Sequence, residues 1–217
     1  STTSRSLGYL AIARELEQAR LATEFLEQSL RAAEAIEQAD DYVSVMVGIA
    51  SEYQRRGLSG AAVRVAGYAA ARARQEAGFS SQLEILKRLA RVYAAADRLE
   101  DIRAFVDEIV DPYVRSVLWL AVAARLVQDG RQGLADDFLV DALLEADETK
   151  FLSDSLRRDI AVGFAETGNA SLSIRTIERM RDRTLRAEAI AWLGYYVEPR
   201  GGLSASQMEV LDTVLRP

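Results

Sequence analysis

DPYVRSVLWLAVAARLVQDGRQGLADDFLVDA, residues 111–142, holds an apolar run of helical period, a glycine at Gly130 where that run has to end, and a second amphipathic run from Arg131 onward. Residues three and four apart share a helix face, so Trp119, Val122 and Leu126 line one side of the first run with the small Ala123 among them. Glycine takes the left-handed backbone conformation that closes a helix without steric cost. The stretch is one helix-turn-helix unit.

With Ala123 as reference, five further units centre on Ala13, Ala50, Ala90, Ala161 and Gly194, at steps of 33 to 40 residues. At four before, one before, three after, seven after and twelve after the reference, Ala50 is flanked by Met46, Ile49, Tyr53, Gly57 and Ala62. Ala161 has Arg157, Ile160, Phe164, Gly168 and Ser173, and Ala90 has Leu86, Leu89, Tyr93, Asp97 and Ile102. The match is good around Ala50 and partial around Ala161; the sets around Gly194 and Ala13 read Ile190, Leu193, Val197, Gly201 and Ser206, and Tyr9, Ile12, Leu16, Arg20 and Phe25. A small reference residue lets two helices approach while the large ones fill the groove beside it. Arg20 and Asp97 replace the glycine, so those two turns are expected to be less sharply specified. In the best internal match, Asp111 and Asp182 each precede an arginine, Arg115 and Arg186, by four residues, and each aspartate is placed to cap a helix N-terminus.

Such a period is that of two helices and two turns, the signature of an α-solenoid. The expected helices are 6–19, 21–38, 41–56, 59–77, 80–96, 99–110, 113–128, 131–146, 150–167, 170–180, 183–198 and 204–215, making about six antiparallel hairpins. No linker rich in Pro, Gly or Ser divides them, so 1–217 reads as a single all-α domain.

The offsets resemble the tetratricopeptide repeat. Its pattern of tryptophan, leucine, glycine or alanine, tyrosine, glycine and alanine is met by Trp119, Val122, Ala123, Leu126, Gly130 and Ala135, and by Met46, Ile49, Ala50, Tyr53, Gly57 and Ala62. The family's near-terminal proline is missing in every unit, and the spacing departs from the usual period of about 34 residues. The resemblance implies a right-handed superhelix whose first helices line a concave groove that binds peptides or partner proteins.

Composition narrows the chemistry. With no cysteine and no histidine, disulfides, thiolate nucleophiles, imidazole bases and the best soft-metal ligands are all missing, and no cofactor or metal is expected. The net charge of -6, with basic residues interspersed among acidic ones, argues against a nucleic-acid or anionic-membrane surface. The apolar run 114–127 is too short to span a bilayer and is broken by Arg115 and Arg125. A soluble chain is expected, with its compartment open: cytoplasmic, or exported if a signal or lipid anchor precedes Ser1. Homo-oligomerisation is left open too.

If first helices line a groove, its residues lie six and three before, and one and four after, each reference. Arg14, Lys87, Arg91 and Arg158, with Arg55 one position aside, then form a cationic lining for an acidic peptide or a carboxylate terminus, beside the polar Ser51 and Gln54 and the aromatic Tyr195. The plain alternative is a set of solvated helix faces. Leu120, Ala124 and Val127, with Val117, give the helix of 113–128 a second apolar face. It is either the best-buried helix of the stack or a ligand surface. The expected function is a non-catalytic interaction scaffold for a peptide or protein partner. The alternative is a carrier or sensor of a small lipid-like ligand or metabolite, with its cavity around Leu120. Asp136, Asp137 and Asp141 are similar to the magnesium-binding clusters of all-α enzymes, but the spacing is one residue too long and Asn169 is the only asparagine available for a second motif. Asp40 and Asp41 read as caps of the third helix.

Overall fold

A computed structural model describes residues 1–75, 83–149 and 152–215. Among them the secondary structure is all helical: α1 (Thr2–Glu15), α2 (Ala19–Ala33), α3 (Ala39–Arg55), α4 (Ser59–Gln75), α5 (Leu83–Ala95), α6 (Leu99–Asp107), α7 (Pro112–Gln128), α8 (Gln132–Glu148), α9 (Ser153–Thr167), α10 (Ala170–Glu178), α11 (Arg183–Val197) and α12 (Ala205–Leu215), with one 3-10 turn at Glu198–Arg200. Each lies on an expected helix, with described ends displaced by at most five residues, the largest shift being the end of α2 at 33 instead of 38. The expected ends at 77 and 80 and the start at 150 fall outside the described residues. Among the described residues no helix is long and apolar enough to cross a membrane.

The helix ends explain why the units align. Seven residues after the reference, the backbone is left-handed at Gly57 (φ 75°), Asp97 (58°), Gly130 (74°), Gly168 (94°) and Gly201 (101°). After each, the next N–H returns to the carbonyl five residues earlier: Leu58 to Tyr53 (2.9 Å), Arg98 to Tyr93 (3.0 Å), Arg131 to Leu126 (2.8 Å), Asn169 to Phe164 (2.7 Å) and Gly202 to Val197 (3.1 Å). This is the Schellman closure, which satisfies carbonyls that a helix end leaves orphaned. Asp97 makes the same turn as the glycines, an aspartate being among the few side chains tolerated there. Arg20 does not stand in a turn. α1 stops at Glu15, its cap Leu16 is extended, and Arg20 is the second residue of α2. The cause is a distant side chain: the Arg56 guanidinium donates to the Ala13 (2.5 Å) and Leu16 (3.0 Å) carbonyls and so takes the place of a local turn. Asp40 and Asp41 are not the cap of α3 either. That cap is Gln38, and both carboxylates lie in the first turn, where the helix dipole favours them.

The chain divides into two compact units, Ser1–Glu108 and Ile109–Pro217. In the first, α1 packs on α2 and α3 on α4, and the first helices α1, α3 and α5 also contact one another in order. Ser6 and Ser29 exchange buried hydroxyl-to-carbonyl bonds (2.7 and 2.8 Å) across the α1–α2 contact. Gly48 of α3 sits against α1, where an added Cβ would meet Leu10 Cδ2 at 3.0 Å. In the second unit α7 pairs with α8 and α9 with α10, while α7, α9 and α11 form the matching series. Trp119 and Phe138 meet with ring centroids 5.5 Å apart, and Ser116 donates to the Ala142 carbonyl (2.9 Å). α12 rests on α10, and its Leu211 joins a core with Ile177, Ala189, Leu193 and Val197. The references Ala13, Ala50, Ala90, Ala123 and Ala161 are buried, but Gly194 is exposed with open space beside it.

The Asp111 and Asp182 match extends to contacts. Asp111 accepts the Tyr113 N–H (2.9 Å) and Asp182 those of Thr184 (2.8 Å) and Leu185 (3.0 Å). Arg115 and Arg186 then reach back six residues to the Ile109 (2.7 Å) and Met180 carbonyls. Around the α8–α9 junction, Glu145 pairs with Arg115 (2.6 Å), and Asp147 with Arg157 (2.9 Å) and Arg179.

Backbone strain makes two changes predictable in opposite directions. Leu152, exposed and left-handed (φ 62°) at the start of α9, has no side-chain cap bond, so Leu152→Gly is expected to stabilise the protein by about 1 kcal/mol. Gly130→Ala, forced into φ 74°, is expected to destabilise it by about 1 kcal/mol. Urea midpoints of the two variants test both, and equal midpoints would remove the account of these turns.

Candidate functional site

The expected groove residues divide between the units. Arg14, Ser51, Gln54, Arg55, Lys87 and Arg91 belong to the first; Leu120, Ala124, Val127, Arg158 and Tyr195 belong to the second.

In the first unit most of the polar set is engaged within the fold. The Ser51 hydroxyl donates to the Val47 carbonyl one turn back (2.7 Å). Gln54 Nε2 donates to the Ala95 carbonyl (3.0 Å), tying α3 to the last turn of α5. Lys87 Nζ holds Glu84 at 2.5 Å and lowers that carboxyl's pKa. Arg55 forks onto Glu52 through Nε (2.9 Å) and Nη2 (2.6 Å), and Arg56 Nε holds the same carboxylate at 2.7 Å. Glu52 is buried, which pushes its pKa up, but the hydrogen bonds from Arg55 and Arg56 outweigh burial and hold it below the ordinary 4.5. Since Arg56 also holds the end of α1, this ion pair is part of the α1–α3 junction.

Arg14 differs. It is exposed on α1, and its Nη2 lies 3.9 Å from the place where a Gly48 Cβ would stand. The Nη2 of half-buried Arg88, from α5, lies 4.0 Å from the same place. Burial first, then the like charge of Arg14, lowers the Arg88 pKa. Arg88 sits two residues before its reference, outside the expected set, and only the unassigned position of Gly48 two before Ala50 hinted at a companion. Arg91 is exposed on the same helix.

In the second unit Leu120, Ala124 and Val127 are half-buried, neither sealed in nor free. Arg158 is held by Asp159 (2.7 Å) and Glu188 (3.1 Å). Its pKa is raised chiefly by the Asp159 hydrogen bond, which outweighs its partial burial. Tyr195 is 66% exposed and packs edge-on against Trp192 (5.7 Å between centroids) and Tyr196 (5.2 Å), while Trp192 and Tyr196 stack at 6.1 Å. Trp192 is itself 48% exposed, so it and Tyr195 form an exposed aromatic pair on α11, with half-buried Tyr196 beside them packed against the core of Ala189, Leu193 and Val197. Burial, then the Glu166 charge, raises the Tyr196 pKa. The i, i+3, i+4 spacing of Trp192, Tyr195 and Tyr196 was the available signal for this patch.

Two open clefts lie in this unit. One, of about 380 Å³, is lined by Gln132, Asp136, Thr167, Asn169 and Gln207 among others; another, of about 220 Å³, by Ile174, Arg175, Glu178 and Val210 among others. The Asp136 carboxylate there accepts from Thr167 Oγ1 (2.5 Å) and Asn169 Nδ2 (3.0 Å), so it ties α8 to the α9–α10 turn. Among the described residues no three carboxylates group in a way that could hold a metal ion.

Because the pKa of Glu52 is lowered in the folded state, its contribution is fully present above pH 4.5 and fades as pH falls through the folded value. Glu52→Gln leaves Arg56 poorly paired and is expected to cost about 3 kcal/mol at neutral pH. Denaturant titrations from pH 7 to pH 3 should show the gap to the unmodified protein closing at the acid end; a gap independent of pH would refute the role of the charge.

The chain matches no model of a known protein family, no curated protein and no solved structure.

Proposed function

We propose that the chain is a non-catalytic interaction scaffold, a TPR-like α-solenoid of about six helical hairpins in one domain, whose first-helix surfaces hold a peptide or protein partner. The recurrence of one left-handed turn at five equivalent positions and the serial packing of α1, α3 and α5, and of α7, α9 and α11, support the architectural part of this reading. The role in binding is carried by one observation: Trp192 and Tyr195 stand exposed together on α11, backed by half-buried Tyr196. Tryptophan and tyrosine dominate the energetics of protein interfaces because they offer large rigid area at low entropic cost. Clustered exposed rings leave apolar surface that water covers poorly.

The test is cross-linking capture from the source cell, with the identified partner then titrated against Trp192→Ser and Tyr195→Ser. Each substitution is expected to weaken partner binding by at least about 30-fold while leaving stability within about 0.5 kcal/mol. A partner bound equally well by both variants would exclude this surface. Over 1–217, a single cooperative thermal transition is expected of one continuous domain, and two well-separated transitions would divide it.

A further inference from the structure

We propose that Arg14 and Arg88, converging across Gly48 where α1, α3 and α5 meet, form a binding site for a small oxyanion, the phosphate or carboxylate group of a ligand. Other half-buried arginines have fixed partners: Arg56 has Glu52 and two carbonyls, Arg115 has Glu145, and Arg157 has Asp147 and Asp154. Among the described residues, neither the Arg14 nor the Arg88 guanidinium is joined to a carboxylate or a carbonyl. Two like charges drawn toward one point, one of them half-buried, repel each other and lose hydration, which a protein ordinarily avoids by pairing them. An anion between them would reverse both penalties and accept from two planar forks, the geometry best suited to phosphate and carboxylate oxygens.

Gly48 allows the close approach. It is a mid-helix glycine at an ordinary helical backbone, so no turn demands it. A Cβ there would stand 3.0 Å from Leu10 Cδ2 and within 4.0 Å of both Nη2 atoms, so any side chain at this position would crowd Leu10 and the two guanidiniums. The floor is Gly48 with the Leu10 methyl, and the two guanidiniums form the walls. For the biological source of the anion the inference rests on the partner-binding reading, but the site itself is tested without a partner.

The full chain is titrated with inorganic phosphate, and separately with acetate, against a chloride background of matched ionic strength, following the arginine side-chain N–H signals by NMR. Saturable binding is expected, weaker by about tenfold or more in Arg88→Gln and in Arg14→Gln, as the loss of one charge-assisted hydrogen-bonding fork implies. In chloride alone, Arg88→Gln should unfold no lower than the unmodified protein, because it removes an uncompensated charge. Saturation by phosphate alone identifies a phosphate-bearing ligand, and saturation by acetate a carboxylate-bearing one. Absence of saturation by either ion, or equal affinity in both variants, overturns the site. Since the Trp192 and Tyr195 variants leave these arginines untouched, failure here does not disturb the aromatic surface, and failure of partner capture does not disturb this site.

Discussion

The hydrogen bond from the residue after each left-handed position back to the carbonyl five residues earlier sets where the following helix begins. The acceptors are Tyr53, Tyr93, Leu126, Phe164 and Val197, and every one of these has its side chain buried in the core. One residue therefore fixes two things at once. Its side chain sets the rotation of the first helix, and its carbonyl sets the exit of the chain into the second. In four units the returning helix then presents Ala62, Ile102, Ala135 or Ser173, all fully buried. In the fourth of these, the Ser173 hydroxyl donates to the carbonyl of its own reference, Ala161, at 2.8 Å. Turn closure and close helix packing are thus coupled through residues only nine apart.

Arginine and glutamine side chains also close helix ends. The last carbonyls of a helix carry partial negative charge and lack internal partners, and arginine, with five donors in a rigid fork, reaches them from a neighbouring element. Arg56 does so for α1 and Arg200 for α9, while Gln54 serves α5. The abundance of arginine, which composition alone suggests is a property of the genome, has this structural use. Asp154 is the acidic counterpart. Burial raises its pKa, but the backbone N–H groups of Asp182 and Arg181, with Arg157, outweigh burial and lower it.

What the sequence discloses and what it withholds follow from the range of the interactions. The helices and five of the turns are legible because periodicity and a left-handed glycine are local signals, and even Asp97 keeps the register. The end of α1 is not legible, because it depends on Arg56, some forty residues on. The expected close approach of helices at Gly194 fails for a related reason: it is exposed, and among the described residues nothing lies within 4 Å of the place its Cβ would take. Of the groove residues, Gln54, Arg55 and Arg158 were recognisable as polar and outward-facing. Their partners on other helices, or on the next turn of their own, were not.

Two of the residues that the groove offsets miss, Arg88 and Trp192, occupy one register position, two before the reference. That position lies between the core stripe and the outward face of a first helix, so its side chain meets whatever the neighbouring first helix offers. In α7 it is Ala121, and it is buried; in α9 it is Asp159, which holds Arg158. In α3 it is Gly48, against which Leu10 packs, and in α5 it is Arg88, whose Nη2 lies 4.0 Å from the place a Gly48 Cβ would take. In α11 it is Trp192, left exposed beside two tyrosines. The turns and core positions repeat because packing requires them to. This edge position is under no such demand, which is why it varies from closed to charged to aromatic, and why each surface proposed for binding draws one residue from it.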